Sequence, residues 1–261
     1  GQYNRTTTPR LEALDNLMLF DNYYSQACLT MFSVPQLVTR ATPDNFELNF
    51  AERSIIEPFR ECGFKVFTIV NSTNLLSYER YLSNGVDSLI IVPNIANGRN
   101  ITSGDKTMVQ VLDSLVNVHD KLFVMMEFMG NHSFFTNYEQ EYEVYNPNSN
   151  NCASDMIRDS MMLINAYDNS ILYTDYILAS LIETINRPNT VSAFMFVSDH
   201  GEAIGNGGAG HGGNCSPIKC EYHVPYIFWW SEEYASFYPN KIRQAKANKK
   251  ARINGDCMYY T

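Results

Sequence analysis

The sequence predicts a three-layer α/β sandwich, in which a mostly parallel β-sheet is flanked by helices on both faces. Short apolar runs rich in β-branched and aromatic residues alternate with longer helix-like stretches, and such runs are typical of strands covered on both faces. The 261 residues can form one large core, and their number does not require a second domain. We therefore expect residues 1–261 to form a single domain.

The predicted elements follow one another in a regular order. The predicted strands are the apolar runs 65–70, 86–93, 121–128, 191–198 and 223–230. The predicted helices are 45–62, 105–118, about 155–187 and 231–248. Repeated strand–helix–strand order favours a parallel sheet with helices on both sides. The segment 141–154, rich in Asn, Pro and Ser, is the clearest predicted loop.

Composition limits the partners that we expect. The chain has 19 basic and 28 acidic residues and a net charge of −9, which disfavours a nucleic-acid surface because such surfaces need clustered Lys and Arg. The basic cluster 240–252 is predicted to be the solvated face of a late helix. No apolar run approaches the ~20 residues that span a bilayer. We expect this soluble chain to be a monomer.

The cysteine pattern suits an oxidising compartment without requiring one. The chain has six cysteines, and secreted or periplasmic proteins are where disulfides persist. Cys215 and Cys220 are the best predicted pair, since a bond between them would close a short loop after a glycine-rich tract. Two free thiols are the alternative.

Polar side chains follow three of the predicted strands. Asn71 comes after strand 65–70, the segment Gly-Asn-His at 130–132 follows strand 121–128, and Asp199-His200 follows strand 191–198. Ligands of open α/β sheets bind outside the carboxyl ends of the strands. We therefore expect these groups to converge on one rim of the sheet, with Asn71 as a candidate substrate-binding residue.

Asp199 and His200 offer a hard oxygen and a borderline nitrogen, a pair that suits Zn²⁺ and, less well, Mn²⁺. Adjacent residues of a strand point to opposite faces, so the backbone must leave the strand for both to bind one metal. Gly201 permits such a turn. The alternative is that Asp199 caps the next element and His200 forms a hydrogen bond in the core.

The tract 205–213, which reads GNGGAGHGG, has little side-chain bulk. Its backbone N–H groups could approach an anion closely, while the chain folds His211 back towards the rim. An ordinary surface loop is the alternative. Next to a strand-end Asp-His pair, the tract favours an anion or metal site.

Thr30 is the candidate nucleophile. Pro35 fits the first turn of a helix, which places Thr30 on the lead-in to that helix, where the positive end of the helix dipole would stabilise an alkoxide. A metal could lower the pKa of the hydroxyl. Composition and spacing alone do not distinguish Thr30 from an ordinary capping or loop hydroxyl.

Six segments in order resemble the catalytic domain of bacterial phosphoethanolamine transferases of the lipid A- and lipopolysaccharide-modifying type, in the alkaline phosphatase/sulfatase superfamily. The segments are YNRTTTPRL (3–11), LTMFSVPQLVT (29–39), GNHSFF (130–135), NAYDNSILYTDYIL (165–178), FVSDHGE (196–202) and HVPYIFWWS (223–231). The resemblance covers nearly the whole chain. It implies an alkaline phosphatase/sulfatase-like fold.

The resemblance also implies roles for individual residues. Thr30 matches the family's zinc-bound nucleophile, and Asp199 and His200 match two zinc ligands. His132 and His211 match histidines that contact the transferred phosphate or a second metal. The implied reaction is transfer of phosphoethanolamine from phosphatidylethanolamine to a cell-surface glycolipid through a phospho-threonine. The implied location is the bacterial inner membrane, with this domain in the periplasm.

One departure from the family concerns a further ligand, a glutamate in a Gly-Glu-Ser/Thr motif just before the Tyr-x-Arg-x-Thr segment. The sequence begins at Gly1, at that segment. We therefore expect a domain truncated at both ends, without the glutamate's strand and the upstream membrane region. The three remaining ligands are expected to hold zinc weakly, and this piece to be inactive by itself.

Two other functional classes remain open. A sulfatase or phosphodiesterase would pass the group to water, but the sulfatase pattern Cys/Ser-x-Pro-x-Arg is not matched by CLTMF at 28–32. A binding domain that kept the fold and lost catalysis is the other. The acceptor is also open, with lipid A, a core sugar, another glycan and a protein as candidates, and the number of metal ions is not fixed.

Overall fold

The computed structural model describes residues 3–71, 79–92, 103–132, 135, 138–147, 160–205, 208–211 and 219–260. Its strands are β1 (Leu17–Leu19), β2 (Tyr23–Tyr24), β3 (Lys65–Val70), β4 (Ser88–Ile91), β5 (Leu122–Glu127), β6 (Ala193–Val197), β7 (Ala203–Gly205), β8 (Gly208–Gly210), β9 (Tyr226–Trp230) and β10 (Ile253–Asn254). Its α-helices are α1 (Pro9–Glu12), α2 (Thr30–Val38), α3 (Leu48–Ala51), α4 (Ile56–Glu61), α5 (Glu79–Ser83), α6 (Ser103–Val116), α7 (Ser160–Ile185), α8 (Lys219–Tyr222), α9 (Glu232–Phe237) and α10 (Pro239–Asn248). Short 3₁₀ helices are Pro43–Asn45, Gln140–Tyr142 and Gly255–Tyr260.

Strands β4, β3 and β5 form a parallel sheet with β3 in the centre. Ile69 of β3 pairs with Ile90 and Met126 on its two neighbours, and it is completely buried. Helix α6 packs on one face through Met108, while α2 and α5 cover the other face. The predicted α/β class, with helices on both sides of a parallel sheet, is confirmed.

The second three-stranded sheet, of order β1-β9-β6, is antiparallel, which differs from the mostly parallel sheet that we expected. Phe194 of β6 pairs with Trp229 of β9 in opposite directions. The reason lies in the return of the chain, since Ser198 N donates to Pro225 O at 3.3 Å. The chain therefore re-enters the sheet at the end where it left, and antiparallel neighbours need no crossover helix.

Helix α7 joins the two sheets. Tyr173, Ile177 and Leu181 pack against α6 and β5, whereas Leu178 and Ile182 pack against β9. The same helix holds the start of the chain through two buried carboxylates. Asp168 accepts from Tyr3 Oη and Arg5 Nη1, and Asp175 accepts from the backbone N–H groups of Arg10 and Leu11.

Two predicted helices are interrupted. The stretch 45–62 contains α3 and α4 with a break between them, where Ile55 N donates to Val38 O at 2.8 Å instead of continuing a helix. The stretch 231–248 divides into α9 and α10 at Pro239, which begins a new helix because it lacks an N–H group. The exposed face of α10 confirms the predicted solvated basic helix. The first residues of the predicted helix 155–187 lie outside the described residues.

The predicted Cys215–Cys220 disulfide is not supported. Cys220 is an exposed free thiol, and Cys215 lies outside the described residues. Cys28, Cys62 and Cys257 are also free thiols.

None of the helices in the described part of the chain combines the length and the apolar character that crossing a membrane requires.

The ends of β3 and β5 are tied together by a buried carboxylate. Asp105, in the first turn of α6, accepts from Asn71 Nδ2 at 2.7 Å and from the N–H groups of Met129 and Gly130 at 3.2 and 2.9 Å. A Cβ on Gly104 would lie 2.1 Å from Asn71 Oδ1, so glycine allows the helix to come this close. Burial raises the pKa of Asp105, and its three donors act in the opposite direction. This carboxylate therefore fixes the backbone that leads to His132.

We expect Asp105→Ala to lower the free energy of unfolding by about 2–5 kcal/mol, because it leaves buried donors without an acceptor. Asp113→Ala is the matched control on the same helix: its carboxylate is 59% exposed and bound to Arg187, so its loss is expected to cost about 0–1 kcal/mol. Urea unfolding measures both. Equal losses in the two variants would contradict this role of Asp105.

Candidate metal centre and nucleophile

The backbone leaves β6 in a turn that brings Asp199 and His200 to the same side. Ser198 Oγ donates to His200 O at 2.6 Å, and Gly201 N donates to Glu221 O at 2.8 Å. A Cβ on Gly201 would lie 2.0 Å from the carbonyl oxygen of Cys220, so the turn needs glycine. Asp199 Oδ2 consequently lies 3.6 Å from His200 Nε2.

Thr30 is the first residue of α2, and its hydroxyl faces His200. The distance from Thr30 Oγ1 to His200 Nε2 is 3.4 Å. Ser33 Oγ, one turn further along α2, donates to Asp199 O at 2.5 Å, and Ser25 Oγ also donates to that carbonyl. The structure therefore brings together the predicted nucleophile and the two predicted metal ligands.

The sequence predicts Pro35 in the first turn of its helix, but the structure places it further along. It is an internal residue of the nine-residue helix α2, and Leu29 is the N-cap with extended backbone angles. The helix thus begins one turn earlier, and Thr30 lies in its first turn rather than on the lead-in. The exposed N–H groups and the positive end of the helix are therefore near the Thr30 hydroxyl.

A hairpin of β7 and β8 folds His211 back towards His200, as the glycine tract predicted. Ala203 pairs with Gly210, so Glu202 and His211 are the next opposed positions. Glu202 Oε1 lies 2.7 Å from His211 Nδ1, and the ring centroids of His200 and His211 are 3.9 Å apart, with the ring planes tilted by 35°. Ligand atoms of His200, Glu202 and His211 lie within 4.8 Å of one another.

This donor set fits a zinc ion. Two imidazoles and a carboxylate are ligands that Zn²⁺ prefers, and the side chains of His200 and Glu202 are only 7% and 8% exposed. Glu202 Oε2 is buried and forms no hydrogen bond with the described residues. A bound cation would satisfy this oxygen. The side chain of Asp199 is 31% exposed and lies beside the cluster, in contact with His200.

His132 lies close enough to be influenced by the same groups. Burial is the main cause that lowers its pKa, and His211 and His200 act in the same direction, while Glu202 and Asp199 act against them. Its ring is therefore neutral at neutral pH. The backbone N–H of His132 donates to Met129 O at 2.8 Å, which places the residue directly after the segment that Asp105 holds.

Asn71 occupies a different kind of position from the other predicted site residues. It has no exposed surface, and its side-chain amide donates to Asp105. Through Asp105, Asn71 is linked to the backbone N–H groups of Met129 and Gly130, which precede His132. A direct contact of Asn71 with substrate stays a prediction.

Glu202 was not predicted as a site residue, although a sequence signal could have indicated it. Asn206-Gly207 is a dipeptide that favours a two-residue hairpin turn. A turn at these residues opposes 205 to 208 and, counting outward, 202 to 211. This register would have placed Glu202 opposite His211.

Curated relatives resemble nearly all of this chain. It is 24% identical to phosphoethanolamine transferase EptC of Escherichia coli (strain K12) in an alignment of 254 positions that covers 93% of this chain and 44% of that protein. It is 25% identical to phosphatidylethanolamine transferase Mcr-1 of Escherichia coli in an alignment of 255 positions that covers 88% of this chain and 45% of that protein. The chain thus spans less than half the length of these relatives.

Solved structures agree with the fold described above. The C-terminal periplasmic domain of EcEptC from Escherichia coli, in complex with Zn, superposes with a TM-score of 0.84 at 21% identity, over 99% of this chain and 74% of that one. This likeness confirms the expected alkaline phosphatase/sulfatase-like fold. The family model described as Sulfatase matches residues 1–255. The chain therefore belongs to the Sulfatase family.

Proposed function

We propose that this chain is the catalytic part of a metal-dependent phosphoethanolamine transferase. It would move phosphoethanolamine from phosphatidylethanolamine to a cell-surface glycolipid, such as lipid A or the lipopolysaccharide core. The observation that carries this proposal is the 3.4 Å distance between Thr30 Oγ1 and His200 Nε2, beside the cluster of His200, Glu202 and His211. The names of the relatives EptC and Mcr-1 support the transferred group.

Thr30 is the proposed nucleophile. In the first step its oxygen loses its proton and forms a bond to phosphorus. The bond from phosphorus to the diacylglycerol oxygen breaks, and that oxygen takes up a proton, so diacylglycerol leaves as the alcohol. In the second step a hydroxyl or phosphate of the glycolipid attacks the phospho-threonine and restores the Thr30 hydroxyl. Its position in the first turn of α2 directs the positive end of the helix towards the oxygen, which favours the ionised form.

His132 suits a different role from that of a proton donor. Because burial favours its neutral ring, the ring N–H is a hydrogen-bond donor rather than a strong acid. We propose that it donates to an oxygen of the transferred phosphoryl group, where negative charge develops.

His200, Glu202 and His211 would hold the metal ion, with Asp199 beside them. When bound, zinc would lower the pKa of a neighbouring hydroxyl and offset charge on the phosphoryl oxygens. The zinc complex of the EcEptC domain supports zinc over manganese. Glu202 and His211 enlarge the expected ligand set of Thr30, Asp199 and His200, so the weak zinc binding expected from those three ligands no longer follows.

The location follows the relatives. The EcEptC structure is named a C-terminal periplasmic domain, and a Neisseria meningitidis relative with a TM-score of 0.83 is named an integral membrane protein. We propose that this domain faces the periplasm and is attached to the inner membrane in the full-length protein. The expected monomer stays a prediction.

Thr30→Ala is expected to abolish the covalent adduct and to reduce transfer on the order of 10³-fold or more, because no other group replaces the attacking oxygen. Intact-protein mass spectrometry after incubation of the full-length protein with phosphatidylethanolamine measures the adduct. Thr30→Ser keeps a hydroxyl and is the matched control, expected to retain the adduct. An adduct that persists in Thr30→Ala would remove this residue from its role, and adducts released only to water would favour a hydrolase.

Glu202→Gln is expected to weaken zinc binding about 10–100-fold, because it replaces a charged ligand by a neutral amide. Titration calorimetry measures the affinity, and zinc-dependent thermal stabilisation of the protein gives a second readout. Glu183→Gln, on the exposed face of α7, is the matched control and should bind zinc as the parent does. Equal affinities of Glu202→Gln and the parent would contradict the assigned metal centre.

A further inference from the structure

Exposed apolar side chains follow Thr30 in the first turn of α2 and occur again on α3. Met31 and Phe32, in the first turn of α2, are 46% and 42% exposed, and Leu48 and Phe50 of α3 are 36% and 67% exposed. Single exposed apolar residues are ordinary, but a contiguous patch usually marks a binding surface. We call Met31, Phe32, Phe46 and Phe50, which line one cavity, the apolar patch.

Ring contacts hold the patch in a row that leads away from Thr30. The ring centroids of Phe32 and Phe46 are 5.7 Å apart, and those of Phe46 and Phe50 are 6.3 Å apart. The guanidinium of Arg80 lies 4.5 Å from the ring of Phe50 and donates to Asn49 Oδ1 at 2.9 Å. The exposed Phe50 is therefore supported from the protein side.

A cavity of about 300 Å³ lies along this row, lined in part by Met31, Phe32, Pro35, Phe46, Phe50 and Tyr81. The lining is mainly apolar and begins at the residue next to the proposed nucleophile. A substrate whose phosphorus is at Thr30 would thus have its apolar part within reach of the cavity. This arrangement fits a donor that combines a phosphodiester with hydrocarbon.

The charges beside the patch are of both signs. Asp44 and Glu47 are exposed carboxylates on either side of Phe46 in the sequence, and Arg80 is a cation at the far end of the row. Two carboxylates and one guanidinium give the surroundings of the patch no excess of positive charge, so they do not favour an anionic lipid over a zwitterionic one. The net charge of −9 disfavours attraction to an anionic bilayer.

We infer that the apolar patch binds the glycerol and acyl part of a zwitterionic membrane phospholipid, the donor, while its phosphorus reaches Thr30. This inference rests on the proposed function and names the surface by which the domain meets the bilayer. Aromatic and aliphatic side chains at such a surface enter the boundary between headgroups and acyl chains, and this apolar burial strengthens binding.

Phe50→Asp tests the inference on this 261-residue chain. In sedimentation with vesicles of phosphatidylethanolamine and phosphatidylcholine, the variant should partition about 10-fold more weakly than the parent, because a carboxylate replaces an exposed ring that would enter the bilayer. Phe237→Asp is the matched control: Phe237 is 70% exposed on α9, outside the patch, so binding should not change. Added phosphatidylglycerol should not strengthen binding of the parent.

Three results of the vesicle experiment would overturn the inference. One is that the parent fails to bind zwitterionic vesicles, and another is that the parent and Phe50→Asp bind them equally. The third is that binding requires phosphatidylglycerol, which would indicate electrostatic adsorption. Light scattering adds a fourth, since a parent dimer that Phe50→Asp converts to a monomer would make the patch an interface between two copies. Because the ring is exposed, Phe50→Asp should keep the thermal unfolding midpoint of the parent.

Kinetics of the full-length protein separate this inference from the proposed function. The ratio of the KM for long-chain phosphatidylethanolamine in vesicles to the KM for water-soluble glycerophosphoethanolamine should rise about 10-fold in Phe50→Asp and stay unchanged in Phe237→Asp. An unchanged ratio in Phe50→Asp would overturn the inference. Transfer from neither donor by the parent would refute the proposed function, whereas the vesicle result needs no turnover and would still decide the inference.

Discussion

The site depends on the docking of one helix against one carbonyl. Asp199 O accepts hydrogen bonds from Ser33 Oγ, on the second turn of α2, and from Ser25 Oγ, on the segment before it. The two serine hydroxyls are themselves 3.2 Å apart. These contacts join positions more than 160 residues apart in the chain and set the 3.4 Å distance between Thr30 and His200. Because the bonds are to a backbone oxygen, the side chain of Asp199 stays available beside His200. A single residue thus holds the helix of the proposed nucleophile and keeps its carboxylate next to the proposed metal centre.

Local patterns predicted the parts of the fold that local forces decide. The run KVFTIV at 65–70 has the bounds of β3, since a central strand covered on both faces is mainly apolar. The direction of β9 could not be predicted from its residues, because it depends on where the chain returns to the sheet at Pro225. The sequence predicts that α2 begins near Pro35, which is too late, for a related reason. Proline is most common in the first turn of a helix, but α2 contains Pro35 in its interior because tertiary contacts through Ser33 hold the preceding turn.

The candidate site divides in the same way. Asp199, His200 and Thr30 were brought together from a strand-end pattern and a family resemblance, and the geometry agrees with that grouping. The place of Asn71 could not be inferred from its strand-end position, since a polar residue there can face solvent or a buried partner. In the structure Asn71 faces a buried partner, because its side-chain amide donates a hydrogen bond to Asp105. Nothing in the sequence near Asp105 distinguishes this buried carboxylate from an exposed residue in the first turn of a helix, because burial is a property of the tertiary structure.

Electrostatics explain why this arrangement suits a cation and an anionic substrate together. Asp199 and Glu202 bring two carboxylates to the place where a phosphodiester would bind, and the ring of His132 adds no positive charge because burial keeps it neutral. Like charges a few ångströms apart in a partly buried site repel strongly. A divalent cation among His200, Glu202 and His211 would reverse this balance, since it neutralises both carboxylates and leaves the positive end of α2 to act on the Thr30 oxygen. The carboxylates would then hold the cation, and the positive charge of the same cation would attract the negatively charged phosphodiester.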